Sequence, residues 1–437
     1  MQVVIGAGPD GLRAAAAYAT AGAQVLLLQE TEQVHGRAAP HLPEGTGRMR
    51  MTEDQRAWVE QVIGSLVEAP DVRRAVLARG AIHALPLSKR AVAQLFQRQA
   101  LPEVGHRWLG RRLRNALSPF TGEGREERSY QDWVVRRMGE PVFRHVYADY
   151  AQSRFGAAPD ALSCSVARVH HGDEESLSHS DQVAGGGPEQ SLAFAAAAIE
   201  SGGGEVRTGV SVLGLVLEQG RVRAVRTEGG DVPVEGLLWI ARPPARIAHW
   251  LGDGLDAALR YDAAQLHTAD AVQVALRGGP EDLPDELHLI GDQASFYRVV
   301  TSYGGKGHTI FHATVEAGAV LDPGLPARMV VDAARLGLAG FEEAGAVVER
   351  LRDHVPIWTE RCHARLRRLV LAWEALGIVT VGRQGTFTPM DIASEVVWAR
   401  SMAASENPDQ REGLRALLEP PVIQADLGAS ISRFVVR

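Results

Sequence analysis

Cysteine and lysine are nearly missing from this chain. Among 437 residues only Cys164 and Cys362 carry a thiol, which excludes a disulfide scaffold and suits a reducing compartment. Of 46 basic residues only Lys89 and Lys306 are lysines, the rest being arginine. A GC-rich genome accounts for such a bias, yet it leaves few lysines for any mechanism that needs one. Long apolar runs are missing too: none approaches the roughly 20 residues that cross a bilayer. The net charge of -7 gives no electrostatic footprint for nucleic acid. What is present, 45% hydrophobic and 23% charged residues, is the composition of a folded protein, long enough for about two or three domains.

The N-terminal segment carries the strongest local pattern. A β-type run, Gln2 to Ile5, leads at once into Gly6-x-Gly8-x-x-Gly11. A small-residue helix, Leu12 to Thr20, follows, and a second apolar run, Val25 to Leu28, completes a βαβ unit. This context is what makes the glycine spacing informative. Gly6 permits the tight turn, Gly8 lets the backbone approach a pyrophosphate, and Gly11 with the alanines lets helix and sheet pack closely. Unpaired N–H groups at the helix start then face the anion. Because the strand begins at residue 2, no room is left for a signal or transit peptide, and a cytoplasmic protein is expected.

Dinucleotide sites place an acidic residue at the end of the second strand to hold the ribose hydroxyls. Here Gln29 stands there, followed by Glu30. The Gln29 amide oxygen can accept a ribose hydroxyl without charge assistance. Glu30 can substitute if the strand end shifts by one residue, though it then faces the other side.

Downstream lie Val34-His35-Gly36-Arg37, Arg79 to Leu87 with Leu85-Pro86-Leu87, and Tyr130-Gln131-Asp132-Trp133 with Arg137-Met138-Gly139. Then come Tyr150, Arg154-Phe155-Gly156, Pro159 and Leu162-Ser163. In this succession the chain resembles the FAD-dependent superfamily of amine oxidases, protoporphyrinogen oxidases and phytoene desaturases. His35 replaces the first glycine of that family's Gly-Gly-Arg. Near the C-terminus an apolar strand runs into Gly382-Arg383-Gln384-Gly385, and Met390-Asp391-Ile392 opens a helix. This part looks most like the UDP-galactopyranose mutase-like and protoporphyrinogen-oxidase-like branch, with Phe387-Thr388-Pro389 in place of its Tyr-x-Asn.

The resemblance implies an α/β fold: a Rossmann-like FAD-binding domain of the glutathione-reductase type with an inserted mixed α+β substrate domain. The FAD domain is expected to be discontinuous, over residues 1–70, 185–255 and 365–405. A helical substrate-domain part covers 71–184, a mixed β/α part 256–364, and a C-terminal tail 420–437. The cofactor is expected against Gly6, Gly8, Gly11, Gln29, Glu30, Gly36, Arg37, Gly382, Arg383, Met390, Asp391 and Ile392. Val212 falls where the family makes a backbone contact to adenine. Tyr297, Arg298 and Trp358 are the candidates for substrate. Arg298 offers a bidentate clamp for a carboxylate or phosphate, or else an ion pair within its own sheet. Trp358 offers a stacking surface or ordinary core packing.

Finer expectations complete the reading. Strands are expected at Ala271 to Leu276 and Thr309 to Val315, and a helix from Leu325 to Ala344. His170-His171 reads as a solvated loop, and His308 with His312 share a face without a third metal ligand. The partners expected are a small-molecule substrate, with arginines at hand for an anionic one, and a protein partner as an option for the tail. No nucleic acid and no transmembrane segment are expected. Neither lysine lies in a matching motif, which favours a desaturase-like or protoporphyrinogen-oxidase-like dehydrogenation over amine oxidation. Three functions stay open: an FAD-dependent oxidoreductase, a redox-neutral mutase-like flavoenzyme, and a catalytically degenerate subunit of the same fold.

Overall fold

A computed structural model describes residues 1–6, 8–30, 51, 53–68, 73–78, 80–84, 128–138, 140, 143–171, 182–184, 187–289, 294–301, 308–387 and 392–404. The chain divides into two compact units, each threaded by distant stretches of sequence. The first comprises Met1–Ala69, Gly172–His267 and Arg361–Arg437, the second Pro70–His171 and Thr268–Glu360.

The first unit is built on a five-stranded parallel sheet. Its order is Ile378–Thr380, Leu238–Ile240, β1 (Gln2–Gly6), β2 (Val25–Gln29) and Glu205–Arg207. The chain leaves β1 toward β2 on one side and later returns on the other, so the strand order reverses beside β1. In open α/β sheets the crevice outside the carboxyl ends at such a point is where ligands bind. Helix α1 (Pro9–Thr20) is buried from Gly11 through Ala19. It packs against the sheet and against the helices Gly187–Ser201 and Ile392–Ala404. A helix covered all round needs an apolar, small-sided sequence, and its alanine run supplies one.

An antiparallel meander, Val212–Glu218, Arg221–Thr227 and Gly230–Pro233, completes this unit's strands outside the parallel sheet and the short pair Leu66–Glu68 and Gln182–Ala184. Its first hairpin turns at Gln219 and Gly220, with φ of 51° and 75°. Two consecutive positive φ angles match the right-handed twist of the flanking strands.

The second unit carries a seven-stranded sheet. Its order is Phe341–Pro356, Thr268–Gly278, His308–Glu316, Arg298–Thr301, Glu286–Leu289, Arg74–Ala78 and Ala81–Ala84. All pairings are antiparallel except that of Glu286–Leu289 with Arg74–Ala78. One face is apolar: Val272, Val274, Leu287, Val299 and Phe311 pack with Leu325, Met329 and Ala333 of the helix Leu325–Arg335.

Two local expectations change. The helix expected from Leu325 to Ala344 stops at Arg335, and a strand starts at Phe341. Gly337 and Gly340, with φ of 85° and 97°, turn the chain between them. The loop expected at His170-His171 is instead the end of the helix Cys164–His171. Among the described residues no helix is long and apolar enough to cross a membrane.

Candidate functional site

The glycine loop lies at the carboxyl end of β1. A Cβ on Gly6 would sit 2.7 Å from the Gly11 Cα, and one on Gly11 would sit 2.6 Å from the Gly6 Cα. Strand and helix therefore touch backbone to backbone, with no side chain that could rotate away. Gly8 has φ 152° and ψ -159°, a region that essentially only glycine occupies. A Cβ there would meet nothing within 4 Å. At Gly8 the constraint comes from backbone conformation and from open space beside it, which is what close approach by a pyrophosphate requires. Pro9 opens α1, where its missing N–H and fixed φ suit the first helical position.

Gln29 is the register partner of Gly6, and the Glu30 N–H donates to the Gly6 carbonyl at 3.3 Å. Both therefore stand beside the loop. Gln29 is fully buried. The Glu30 carboxylate is held by Arg242, which follows the strand on the other side of β1, and by Arg246 at 3.7 Å. Val212 is buried at the start of its strand, and its carbonyl accepts the Trp250 indole N–H at 3.0 Å. Gly36, Arg37, Met390 and Asp391 lie outside the described residues, as do Lys89, Lys306 and the tail 420–437. Ile392 opens the helix Ile392–Ala404.

The second motif meets the first. Gly382, at φ 67°, packs so closely that a Cβ there would lie 2.8 Å from the Asp10 Cβ. Arg383 reaches Glu395 at 3.1 Å and Asp10 at 3.8 Å. Arg13 donates to the same Glu395 through Nε at 3.0 Å and Nη2 at 2.6 Å, and to Asp10 at 3.0 Å. Two acids and two arginines thus close a ring beneath the glycine loop. Burial pushes the Glu395 carboxyl above its ordinary value, against the pull of Arg13. Asp10, Arg13 and Glu395 escaped the motif reading. The signal was there: Arg13 is the one charge between Leu12 and Thr20, and Glu395 the one charge between Ile392 and Ala399.

The second unit holds a different group. Glu349, Gln273, His312, Arg298 and His288 are successive register partners across five strands, so they form one row on one face. That face is opposite the apolar one. Glu286, two residues before His288, accepts from His288 Nε2 at 2.9 Å and forms ion pairs with Arg298 Nη2 at 2.8 Å and with Arg74 at 3.3 Å. Burial raises the Glu286 carboxyl, but the His288 hydrogen bond and the Arg298 charge outweigh it and hold it at about 2. An ionised carboxylate only accepts, so His288 carries its proton on Nε2. Burial, with Arg298 and Arg154 nearby, holds the His288 imidazole below its ordinary value. Arg154 donates to the Tyr297 hydroxyl at 2.9 Å and lies over its ring at 5.1 Å. Tyr150 packs edge-on against His288.

Tyr297 and Arg298 are thus neighbours, both buried, while Trp358 is buried with its carbonyl accepting the Ser163 N–H at 2.7 Å. Arg298 is engaged in the ion pair with Glu286, the second of the two roles its sequence left open. His308 faces Arg277 at 3.4 Å and His312 belongs to the polar row. Among the described residues no cluster of three or more metal-ligating side chains occurs.

No family model and no curated protein matches the chain. Solved structures do. A protein described as a protoporphyrinogen oxidase from Exiguobacterium sp. 255-15 is 18% identical, with TM-score 0.67, over 92% of this chain and 97% of its own. Reduced UDP-galactopyranose mutase is 15% identical, with TM-score 0.70, over 98% of each chain. Putrescine oxidase bound to putrescine is 14% identical, with TM-score 0.60, over 92% of this chain and 97% of its own. The chain has the fold of these flavoenzymes, as the motif resemblance implied.

Proposed function

We propose that this chain is an FAD-dependent oxidoreductase that takes a hydride from a small or medium organic substrate. The observation that carries the reading is Gly8. It sits at the strand-order reversal in a glycine-only conformation, with open space where a side chain would otherwise stand. The α1 N-terminus directs unpaired N–H groups to the same place. FAD, when bound, supplies the hydride acceptor, and the protein supplies position and polarity. Gly6, Gly8 and Gly11 shape the pyrophosphate seat, and Gln29 lies within the same loop cluster for the ribose. The polar row on the second unit's sheet is the candidate surface for substrate, with Arg298 within it and Tyr297 beside it.

One observation favours a second reading, a flavoprotein-fold subunit without turnover. The strand-end acid is replaced by Gln29, and the neighbouring Glu30 is committed to Arg242. The UDP-galactopyranose mutase likeness keeps a redox-neutral flavoenzyme as a third. An absorbance spectrum of the purified protein, with released cofactor identified by mass, tests the cofactor. A yellow protein whose flavin bleaches anaerobically with a substrate is the expected result. Colourless protein that cannot be reconstituted with FAD sinks the flavin reading. Bound FAD with no turnover points to the subunit, and turnover that needs reduced flavin without net oxidation points to the mutase type.

A further inference from the structure

The ring of Asp10, Arg13, Arg383 and Glu395 poses an electrostatic problem whose solution bears on the cofactor. Asp10 lies in the first turn of α1. A carboxylate there stabilises the bare helix end, because it meets the positive end of the helix dipole. The same charge opposes any anion that docks on that end. Glu395 repeats the arrangement in the first turn of Ile392–Ala404. Each arginine contacts both acids: Arg13 at 3.0 Å from Asp10 and 2.6 Å from Glu395, Arg383 at 3.8 Å and 3.1 Å. Arg13 is 6% and Glu395 3% exposed at the side chain, so solvent screens this pair little.

We propose that Arg13 is a positioning residue for the cofactor pyrophosphate: it neutralises Asp10 at the anion-receiving end of α1, and Glu395 holds it there. This rests on the FAD reading. The ring also makes one site of two motifs some 380 residues apart, since the pairing of Arg13 with Glu395 spans 382 residues. Arg383 takes the longer contact to Asp10, so of these two arginines Arg13 supplies the larger share of the neutralisation. Without Arg13, Asp10 stands against the incoming pyrophosphate with its closer arginine gone and Arg383 at 3.8 Å.

The test is a titration of apoprotein with FAD, followed by flavin fluorescence, on wild type, Arg13→Met, Asp10→Asn and the Arg13→Met/Asp10→Asn double variant. Melting temperatures of the apoproteins are recorded alongside. Arg13→Met is expected to weaken FAD binding on the order of tenfold, the scale of a charge at a partly buried helix end. Removing the Asp10 charge in the same chain should return affinity to within about threefold of wild type, while the melting temperature stays low. A merely structural arginine predicts no such rescue, so a double variant that binds no better than Arg13→Met overturns the proposal. Asp10→Asn alone keeps the Arg13–Glu395 pair and should bind FAD at least as tightly as wild type. A tenfold loss in that variant overturns the proposal even if Arg13→Met does not fold. Wild-type protein that takes up no FAD defeats the flavin reading itself, a result separable from both.

Discussion

Asp10, Arg13, Arg383 and Glu395 in the first unit, and Glu286, His288 and Arg298 in the second, are both buried ionic groups, but different geometry assembles them. The first is closed by helix starts and a glycine turn, and two arginines balance two acids. The second is laid out by strand register, and one carboxylate answers Arg298, His288 and the half-exposed Arg74. Backbone contact fixes the loop beside the first group, where Gly6 and Gly11 leave no side chain to adjust, and Gly382 sets its backbone against the Asp10 Cβ. Side-chain pairing fixes the second, on a sheet whose other face is ordinary apolar core.

The largest way to break this contrast is at Gly6. Gly6→Ala places a Cβ 2.7 Å from the Gly11 Cα, where nothing can swing aside. Overpacking of this kind is expected to destabilise by about 3 kcal/mol or more, since backbone must move to relieve it. Urea denaturation should show it, together with loss of FAD uptake. A Gly6→Ala protein that melts and binds FAD like wild type would mean the close approach is not what holds the loop.

Next comes the second unit. Glu286→Gln removes the acid that answers Arg298, which is 2% exposed. Breaking a buried pair from one side typically costs about 3–5 kcal/mol, because the remaining charge stays buried without an opposite. The pH dependence has a definite sign. The Glu286 carboxyl is held at about 2, below its ordinary 4.5, so its contribution is complete above 4.5. That contribution is lost as the pH falls from 4.5 through about 2. Acid titration of stability in wild type should therefore steepen across this window, and Glu286→Gln should flatten it. An unchanged acid slope in the variant would show that some other group carries the acid sensitivity. FAD uptake, which the proposed function assigns to the first unit, should survive this substitution where it does not survive Gly6→Ala.

The two regions also differ in how far the sequence disclosed them. The glycine loop was legible because a strand-to-helix turn that touches its own helix admits glycine almost alone, so backbone geometry is written as residue type. The parallel strands β1 and β2 showed as short apolar runs for the same kind of reason: burial on both faces removes polar residues from them. The second unit's row was not legible. Glu349, Gln273, His312, Arg298 and His288 come from five strands, and only register brings them together, which no single stretch reveals. The edge strand Phe341–Pro356 hid for a related reason. Glu342, Glu343 and Arg352 are exposed at the sheet edge while Glu349, Arg350 and Asp353 are half-buried, and irregular pairing with Thr268–Gly278 breaks the alternation. Charges set in apolar helical stretches, Arg13 and Glu395, were visible but carried no spacing rule. Their meaning came only when α1 and Ile392–Ala404 were seen side by side.

The smallest expected effect sharpens the comparison by testing whether burial, and not pair geometry, gives these groups their weight. Glu205 and Arg207 form a two-pronged pair at 2.8 Å and 3.0 Å, as short as the contacts around Glu286. Their side chains are 54% and 46% exposed. Water and salt screen such a pair, and ordering two long side chains offsets most of its attraction. Glu205→Ala should therefore leave the urea midpoint unchanged within error at moderate salt, where Glu286→Gln shifts it clearly. Measuring both at low and high salt separates the causes, because any residual effect of the exposed pair should vanish at high salt and that of the buried one should persist. If Glu205→Ala proves as damaging as Glu286→Gln, donor–acceptor geometry outranks burial in this protein. The case for reading Asp10, Arg13 and Glu395 as electrostatically special would then lose its footing as well.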